Sequence, residues 1–131
     1  MIECYAYRSH AVSDLDLREL SKIIVNSRGF NAAEDITGVL LFDGARFYQY
    51  IEGPGVALAD ARQRIEASRN HTGIQVLLDG APDTPGAFPT WSLGYLMLDE
   101  PPRSLHAFAT PADHAELVGA FAAIAATSDA M

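Results

Sequence analysis

ITGVLLFDGARFYQYIE, residues 36–52, decides the fold. Two apolar runs of strand length, Ile36 to Phe42 and Phe47 to Glu52, flank the turn-forming tetrad Asp43-Gly44-Ala45-Arg46, so the segment reads as a β-hairpin. In its second arm Phe47, Gln49 and Ile51 point to one side and Tyr48 and Tyr50 to the other. Gln49 interrupts an otherwise apolar row. A buried primary amide without partners costs roughly 1–3 kcal/mol, so a strand that holds one must also offer it something polar, from the chain or from a ligand.

Outward from the hairpin the chain alternates strands and helices. Ile2 to Arg8 is rich in aromatic and short apolar residues and reads as a strand. Ser13 precedes a helical stretch in which Leu17, Leu20, Ile24 and Ser27 recur, with Asp14 and Asp16 in its first turn and Gly29 as its stop. After the hairpin, Gly53-Pro54-Gly55 breaks the strand, and a second helix runs from Val56 to His71, with Val56, Ala59, Gln63 and Ile65 as candidates for its inner edge. Ile74 to Leu78 is a strand, residues 80–89 a Pro/Gly-rich loop, and Trp91 to Leu98 a last strand on which Trp91, Leu93, Tyr95 and Met97 share a face. The order βαββαββ is that of an α+β, ferredoxin-like sandwich with a mixed sheet and two helices on one face. Residues 112–127 form an extra C-terminal helix with Leu117, Phe121 and Ile124 on one stripe. That stripe covers the second face of the sheet or meets another copy in a homodimer or higher homo-oligomer; the apolar pattern fits both.

Composition sets the class. A chain of 131 residues that is 49% hydrophobic has the size of one domain with a core. A formal charge of −8 argues against nucleic acid or an anionic membrane as partner. Cys4, the lone cysteine, makes no internal disulfide, and no run approaches the roughly 20 apolar residues of a membrane span. With no secretory leader pattern, the expectation is a cytoplasmic protein. His10, His71, His106 and His114 show no metal-ligand spacing.

Residues 1–98 resemble the BLUF domains, blue-light receptors that bind a flavin. The resemblance rests on Tyr7-Arg8-Ser9 ending the first strand, Asn31 after the first helix, and Ile36-Thr37-Gly38 opening the hairpin. It continues through Phe47 to Gly53, the Asn70-His71 pair closing the second helix, and the F-P-x-W-S phrase at Phe88 to Ser92. It implies a noncovalently held flavin: FAD, with FMN and riboflavin as alternatives. It further implies that Tyr7 is the light-driven electron and proton donor, Gln49 the amide that bridges it to the ring, and Asn31 a further hydrogen-bonding partner. Ile24, Phe47, Ile51, Trp91 and Leu93 complete the implied binding set. An amide presents donors on one side and an acceptor on the other, so a half-turn of Gln49 reverses its hydrogen bonding in nearly the same volume.

Two positions depart from the family's pattern. Leu93 stands where many members carry methionine, and Thr84-Pro85-Gly86-Ala87 replaces basic residues often found before the F-P-x-W phrase, which leaves the flavin type open. Arg8 reads as a strand-end charge or a ring or phosphate contact, Glu52 as a turn residue. Residues 99–131 read as a linker and helix for output or oligomer contact, with no enzymatic domain and a signal passed to a partner protein. The competing readings are a flavin-blind ferredoxin-like interaction module and a small acylphosphatase-like hydrolase. The hydrolase needs a glycine-rich phosphate cradle after the first strand, which Ser9-His10-Ala11-Val12-Ser13 does not supply.

Overall fold

The structure, a computed structural model, describes residues 1–83, 85–88, 91–98 and 113–126. Strand β1 (Ile2–Ala11) leads to helix α1 (Leu17–Ala33), the hairpin β2 (Thr37–Phe42) and β3 (Arg46–Pro54), helix α2 (Gly55–Ala67), β4 (His71–Gly80), β5 (Gly94–Met97) and helix α3 (His114–Ala126). The sheet order is β4-β1-β3-β2-β5, antiparallel except for the parallel β2/β5 edge. This is the ferredoxin-like α+β sandwich expected, with a fifth strand on one edge. Among the described residues no helix is long and apolar enough to cross a membrane, and no group of three His, Cys, Asp or Glu side chains is placed to hold a metal.

The hairpin forms as its sequence dictates. The Asp43 carboxylate accepts from the backbone N–H groups of Ala45 and Arg46 at 2.9 and 2.7 Å, and Gly44 takes a φ of 92°, open to glycine and costly for most other residues. The register then pairs Phe42 with Phe47, Leu40 with Gln49, and across β1 Tyr7 with Gln49. Tyr7, Gln49 and Leu40 therefore stand in one row on one face.

Several element boundaries differ from expectation. Helix α1 is capped by Asp16, whose carboxylate accepts from Arg18 N–H at 2.9 Å, and it runs through Gly29 to Ala33. An exposed glycine that meets no neighbour weakens a helix by only about 1 kcal/mol; the true stop is Asp35 at φ 57°. Asn31 is consequently in the last turn of the helix, not after it. Helix α2 ends at Ala67, so Asn70 lies in the turn beyond and His71 opens β4. The inner edge of α2 is Ala57, Leu58 and Ala61, while Val56 is exposed.

Each sheet face has its own core. One contains Tyr5, Tyr7, Leu40, Phe47 and Ile51 under α1 and α2; the other contains Cys4, Ala6, Val39, Leu41, Tyr48 and Tyr50 under α3. Leu117 and Phe121 are fully buried in the second core and Ile124 packs against it, so the C-terminal stripe covers the chain's own sheet. His106 and the linker stretch 99–112 lie outside the described residues.

Candidate functional site

A cavity of about 370 Å³ opens between α1 and α2 above the sheet. This volume is within the range of small-molecule pockets. Its floor is a row set by the pairing of β1, β3 and β2, Tyr7, Gln49 and Leu40, together with Ile51, and Phe47, His71 and Leu93 also line it. Ile24, Ser27, Phe30 and Asn31 contribute the α1 wall, and Ala61, Arg64 and Ile65 the α2 wall.

The floor carries the polar chemistry. Tyr7 donates its phenolic hydrogen to Gln49 Oε1 at 2.6 Å, inside the core. Burial pushes the Tyr7 phenol well above the ordinary tyrosine value, so it stays protonated and remains a donor. Gln49 is 6% exposed, and its amide nitrogen has no hydrogen-bond partner among the described residues. The amide thus bonds to the chain through one end only and lines the cavity with the rest. Beside Tyr7, His71 Nε2 is 2.7 Å from the Ile65 carbonyl, which only accepts, so Nε2 carries a hydrogen, and Ser9 Oγ is hydrogen-bonded to Nδ1 at 2.6 Å. The imidazole, held at both nitrogens, lies 5.6 Å from the Tyr7 ring, centre to centre.

The entry to β5 forms the third side. The Trp91 carbonyl accepts from Gly38 N–H at 3.1 Å, the Ser92 carbonyl from the Asn31 amide at 2.7 Å, and the Leu93 carbonyl from Arg28 at 2.8 Å. Asn31 therefore ties α1 to this segment and lines the cavity as well.

Seven of the eight residues singled out from sequence, Tyr7, Ile24, Asn31, Phe47, Gln49, Ile51 and Leu93, line the cavity together. Trp91 does not. β5 begins only at Gly94, so Trp91 lies before the strand and the expected alternation with Leu93 does not hold. Its side chain packs in the second core, stacked on Phe88 with ring centres 6.0 Å apart, and its ring lies over Gly94 so closely that a Cβ there would sit 2.5 Å from it.

Other residues depart from their sequence reading. Glu52 is buried, not in a turn: its carboxylate accepts from the Tyr50 hydroxyl at 3.0 Å and from Gly86 N–H at 2.6 Å. Arg8 donates to Gln75 Oε1 at 2.6 Å across β1 and β4. Sequence reasoning did not find Arg64, Arg69, Ser68 and Asn26 as cavity-lining groups. The register of α2 was the missing signal, because an Ala-rich helix with a weak apolar stripe does not announce its inner face.

Comparisons with known proteins converge on one family. Residues 2–94 match the family model described as BLUF, sensors of blue-light using FAD. The blue light- and temperature-regulated antirepressor BluF of Escherichia coli (strain K12) is 30% identical over 83 residues, covering 63% of this chain and 21% of that protein. The dark-state structure of BlrB, a BLUF protein, superposes with a TM-score of 0.75 at 28% identity and covers 94% of this chain and 96% of BlrB. Klebsiella pneumoniae BlrP1, solved with FMN and cyclic diGMP, gives 0.71 at 26% identity, covering 94% of this chain and 35% of BlrP1. The chain thus spans about a fifth of the antirepressor and about a third of BlrP1.

Proposed function

The chain belongs to the BLUF family of flavin-using blue-light sensors, and on that premise we propose that it is a photoreceptor in which Tyr7 and Gln49 form the switch. One observation carries the reading: the 2.6 Å hydrogen bond from Tyr7 to Gln49 Oε1 on the floor of a cavity toward which the rest of the amide is unpaired. The residues fit a flavin. Ile24, Leu40, Ile51 and Ile65 provide apolar walls for a flat ring, while Gln49 and Asn31 offer amides to its polar edge.

When bound, the flavin supplies absorption of blue light and, once excited, oxidising power. Tyr7 is the electron donor, and its phenolic hydrogen already points at the amide that takes part in proton movement. Gln49 rotates or changes tautomer, exchanging its donor and acceptor ends in the same volume. The shielded floor keeps water away from Tyr7, and Asn31 holds the cavity wall against the Ser92 carbonyl.

The signal leaves through residues 91–93. Leu93 lines the same cavity as Gln49, whereas Trp91, two residues earlier, packs in the core that holds Leu117 and Phe121 of α3. A change at Gln49 that shifts Leu93 biases Trp91 and with it the seat of α3, a local event read by a packed element. The output is contact with a partner protein of unspecified identity; FAD is the expected cofactor.

Absorption spectra of the purified chain in the dark and just after blue light test this reading. A flavin spectrum that shifts reversibly to the red is expected. Bound flavin without a shift would defeat the switch, and a chain that takes no flavin even after reconstitution would be the flavin-blind interaction module.

A further inference from the structure

Tyr5 shares a sheet face with Tyr7 but has no part in the switch. The two stand two residues apart on β1, so their rings project from one side of the sheet, 5.6 Å apart centre to centre and inclined at 34°. Tyr5 is 1% exposed and does not line the cavity; it packs in the same core as Tyr7, beside it.

The two phenols give their hydrogens to different acceptors. Tyr7 donates to Gln49 Oε1 at 2.6 Å, an amide oxygen of little basicity, whereas Tyr5 donates to Glu66 Oε2 at 3.3 Å, a carboxylate that can take the hydrogen outright. The Arg62 guanidinium lies 4.5 Å above the Tyr5 ring and is bonded to Glu66 at 3.1 Å and to Asp79 at 3.4 Å. Both carboxylates reach solvent, so a connected path runs from the cavity floor through Tyr7 and Tyr5 to the outer surface of α2 and β4. Burial, followed by the Glu66 charge, pushes the Tyr5 phenol up to about 12, so at neutral pH it still has its hydrogen to give. A cation above the ring opposes positive charge on it, so an electron leaves Tyr5 readily only if the proton leaves as well.

Resting on the photoreceptor reading above, we propose that Tyr5 is a second redox-active tyrosine, which draws the oxidising equivalent off Tyr7 and passes its own proton to Glu66. The oxidant is the photoexcited flavin, to which Tyr7 loses one electron. Before the Tyr7 O–H bond breaks, the Tyr5 ring supplies an electron to Tyr7, which is again a neutral phenol. The Tyr5 O–H bond breaks as an O–H bond forms on the Glu66 carboxylate, leaving a neutral radical on Tyr5 and the transferred electron with the flavin. Asp79 keeps Arg62 in place while Glu66 is protonated. Return of the electron and of the Glu66 proton to Tyr5 restores the starting state without reorienting Gln49. Tyr5 therefore sets the share of absorbed photons that end without switching.

Electron paramagnetic resonance of the flavin-loaded chain, frozen under blue light, tests the relay. Two tyrosyl signals are expected, told apart by their dipolar coupling to the electron on the flavin: a strong one from Tyr7, which lines the cavity, and a weaker one from Tyr5, which does not. Tyr5→Phe, which removes only the hydroxyl, and Glu66→Gln, on the exposed side of α2, should each abolish the weaker signal and raise the amount of red-shifted product per absorbed photon. In the flavin-free chain, Glu66→Gln should also lower the midpoint of Tyr5 in an ultraviolet alkaline titration, because no carboxylate then opposes its ionisation. A reversible red shift with no weaker signal, a weaker signal that survives either substitution, or an unchanged Tyr5 midpoint overturns the relay and leaves the photoreceptor reading intact. A chain that takes no flavin overturns both.

Discussion

The two faces of one sheet bury tyrosines in different ways. On the second face Tyr50 donates to Glu52 and lies 3.3 Å from His114 Nε2, and Glu52 is held in turn by Gly86 N–H, so the polar groups satisfy one another within the chain. On the cavity face Tyr7 donates to Gln49, but the amide nitrogen of Gln49 has no partner among the described residues. Burial raises both phenols. The difference lies in closure: a closed network ties α3 and the 85–87 segment to the sheet, and an open one leaves an amide end facing the cavity, where the proposed flavin would complete it. A completed amide with two near-equal orientations can switch, while a carboxylate fixed by several donors cannot.

Breaking the open network should have the largest effect on the proposed function. Gln49→Leu keeps much of the volume and removes both ends of the amide; Tyr7→Phe removes only the hydroxyl. Each is expected to abolish the light-induced red shift while the chain still binds flavin, as read from dark-minus-light absorption spectra. A full shift in either variant would remove that residue from the switch. Tyr50→Phe, on the closed face, should leave the shift in place.

Breaking the closed face should instead affect stability. Phe121 is fully buried among Tyr50, Leu117 and neighbouring side chains, so Phe121→Ala is expected to cost about 3–5 kcal/mol in urea unfolding. If α3 were seated only weakly, the loss would be well under 1 kcal/mol. Hydrogen exchange would then show an opened helix above an unchanged sheet.

Much of this contrast is legible in the sequence. The hairpin, with its turn tetrad and period-2 arms, gives the pairing of Gln49 with Leu40, whereas Tyr7 comes opposite Gln49 only through the β1/β3 pairing of the assembled sheet. Where the reading goes astray, a competing local effect prevails. Gly29 does not end α1, because one exposed glycine costs less than the remaining turn gains by burying Asn31 and bonding it to Ser92. Trp91 departs from the expected alternation because residues 91–93 bond as a loop to three different partners before β5 begins. Glu52 resembles a turn residue by its place before Gly53-Pro54, and only tertiary structure supplies the backbone donors that make it a buried acceptor. The arginines at the mouth stay hidden until α2 has a register.

Alkaline pH tests burial on the cavity face from a different side. Tyr5 packs against Tyr7 with ring centres 5.6 Å apart, and burial, followed by the nearby Glu66 carboxylate, pushes its phenol up to about 12. A raised value means that the folded chain keeps the proton which the unfolded chain loses near pH 10. Stability is thus complete below about pH 10 and falls as pH climbs toward 12, by at most about 1.4 kcal/mol per pH unit for this group. Tyr5→Phe should flatten the fall in that window in denaturation curves measured at a series of pH values. An unchanged slope would mean that Tyr5 ionises in the folded chain as readily as in the unfolded one.

The smallest effect, and the one that most sharpens the contrast, belongs to Leu93. It is 3% exposed and lines the cavity, while the segment it sits in also carries Trp91 into the second core. Leu93→Met conserves volume and adds a flexible, polarizable thioether, a swap that usually costs under about 1.5 kcal/mol of stability. The fold and the size of the red shift should therefore hold. The dark-recovery time is expected to change by a few fold, because a sulfur in the cavity that Gln49 lines adds a weak acceptor that leucine lacks. If residues 91–93 carry the signal from the open face to the closed one, light-dependent exchange at α3 amides should change along with recovery. A variant that alters neither would separate the two faces at this position and leave α3 without a route from Gln49 through Leu93.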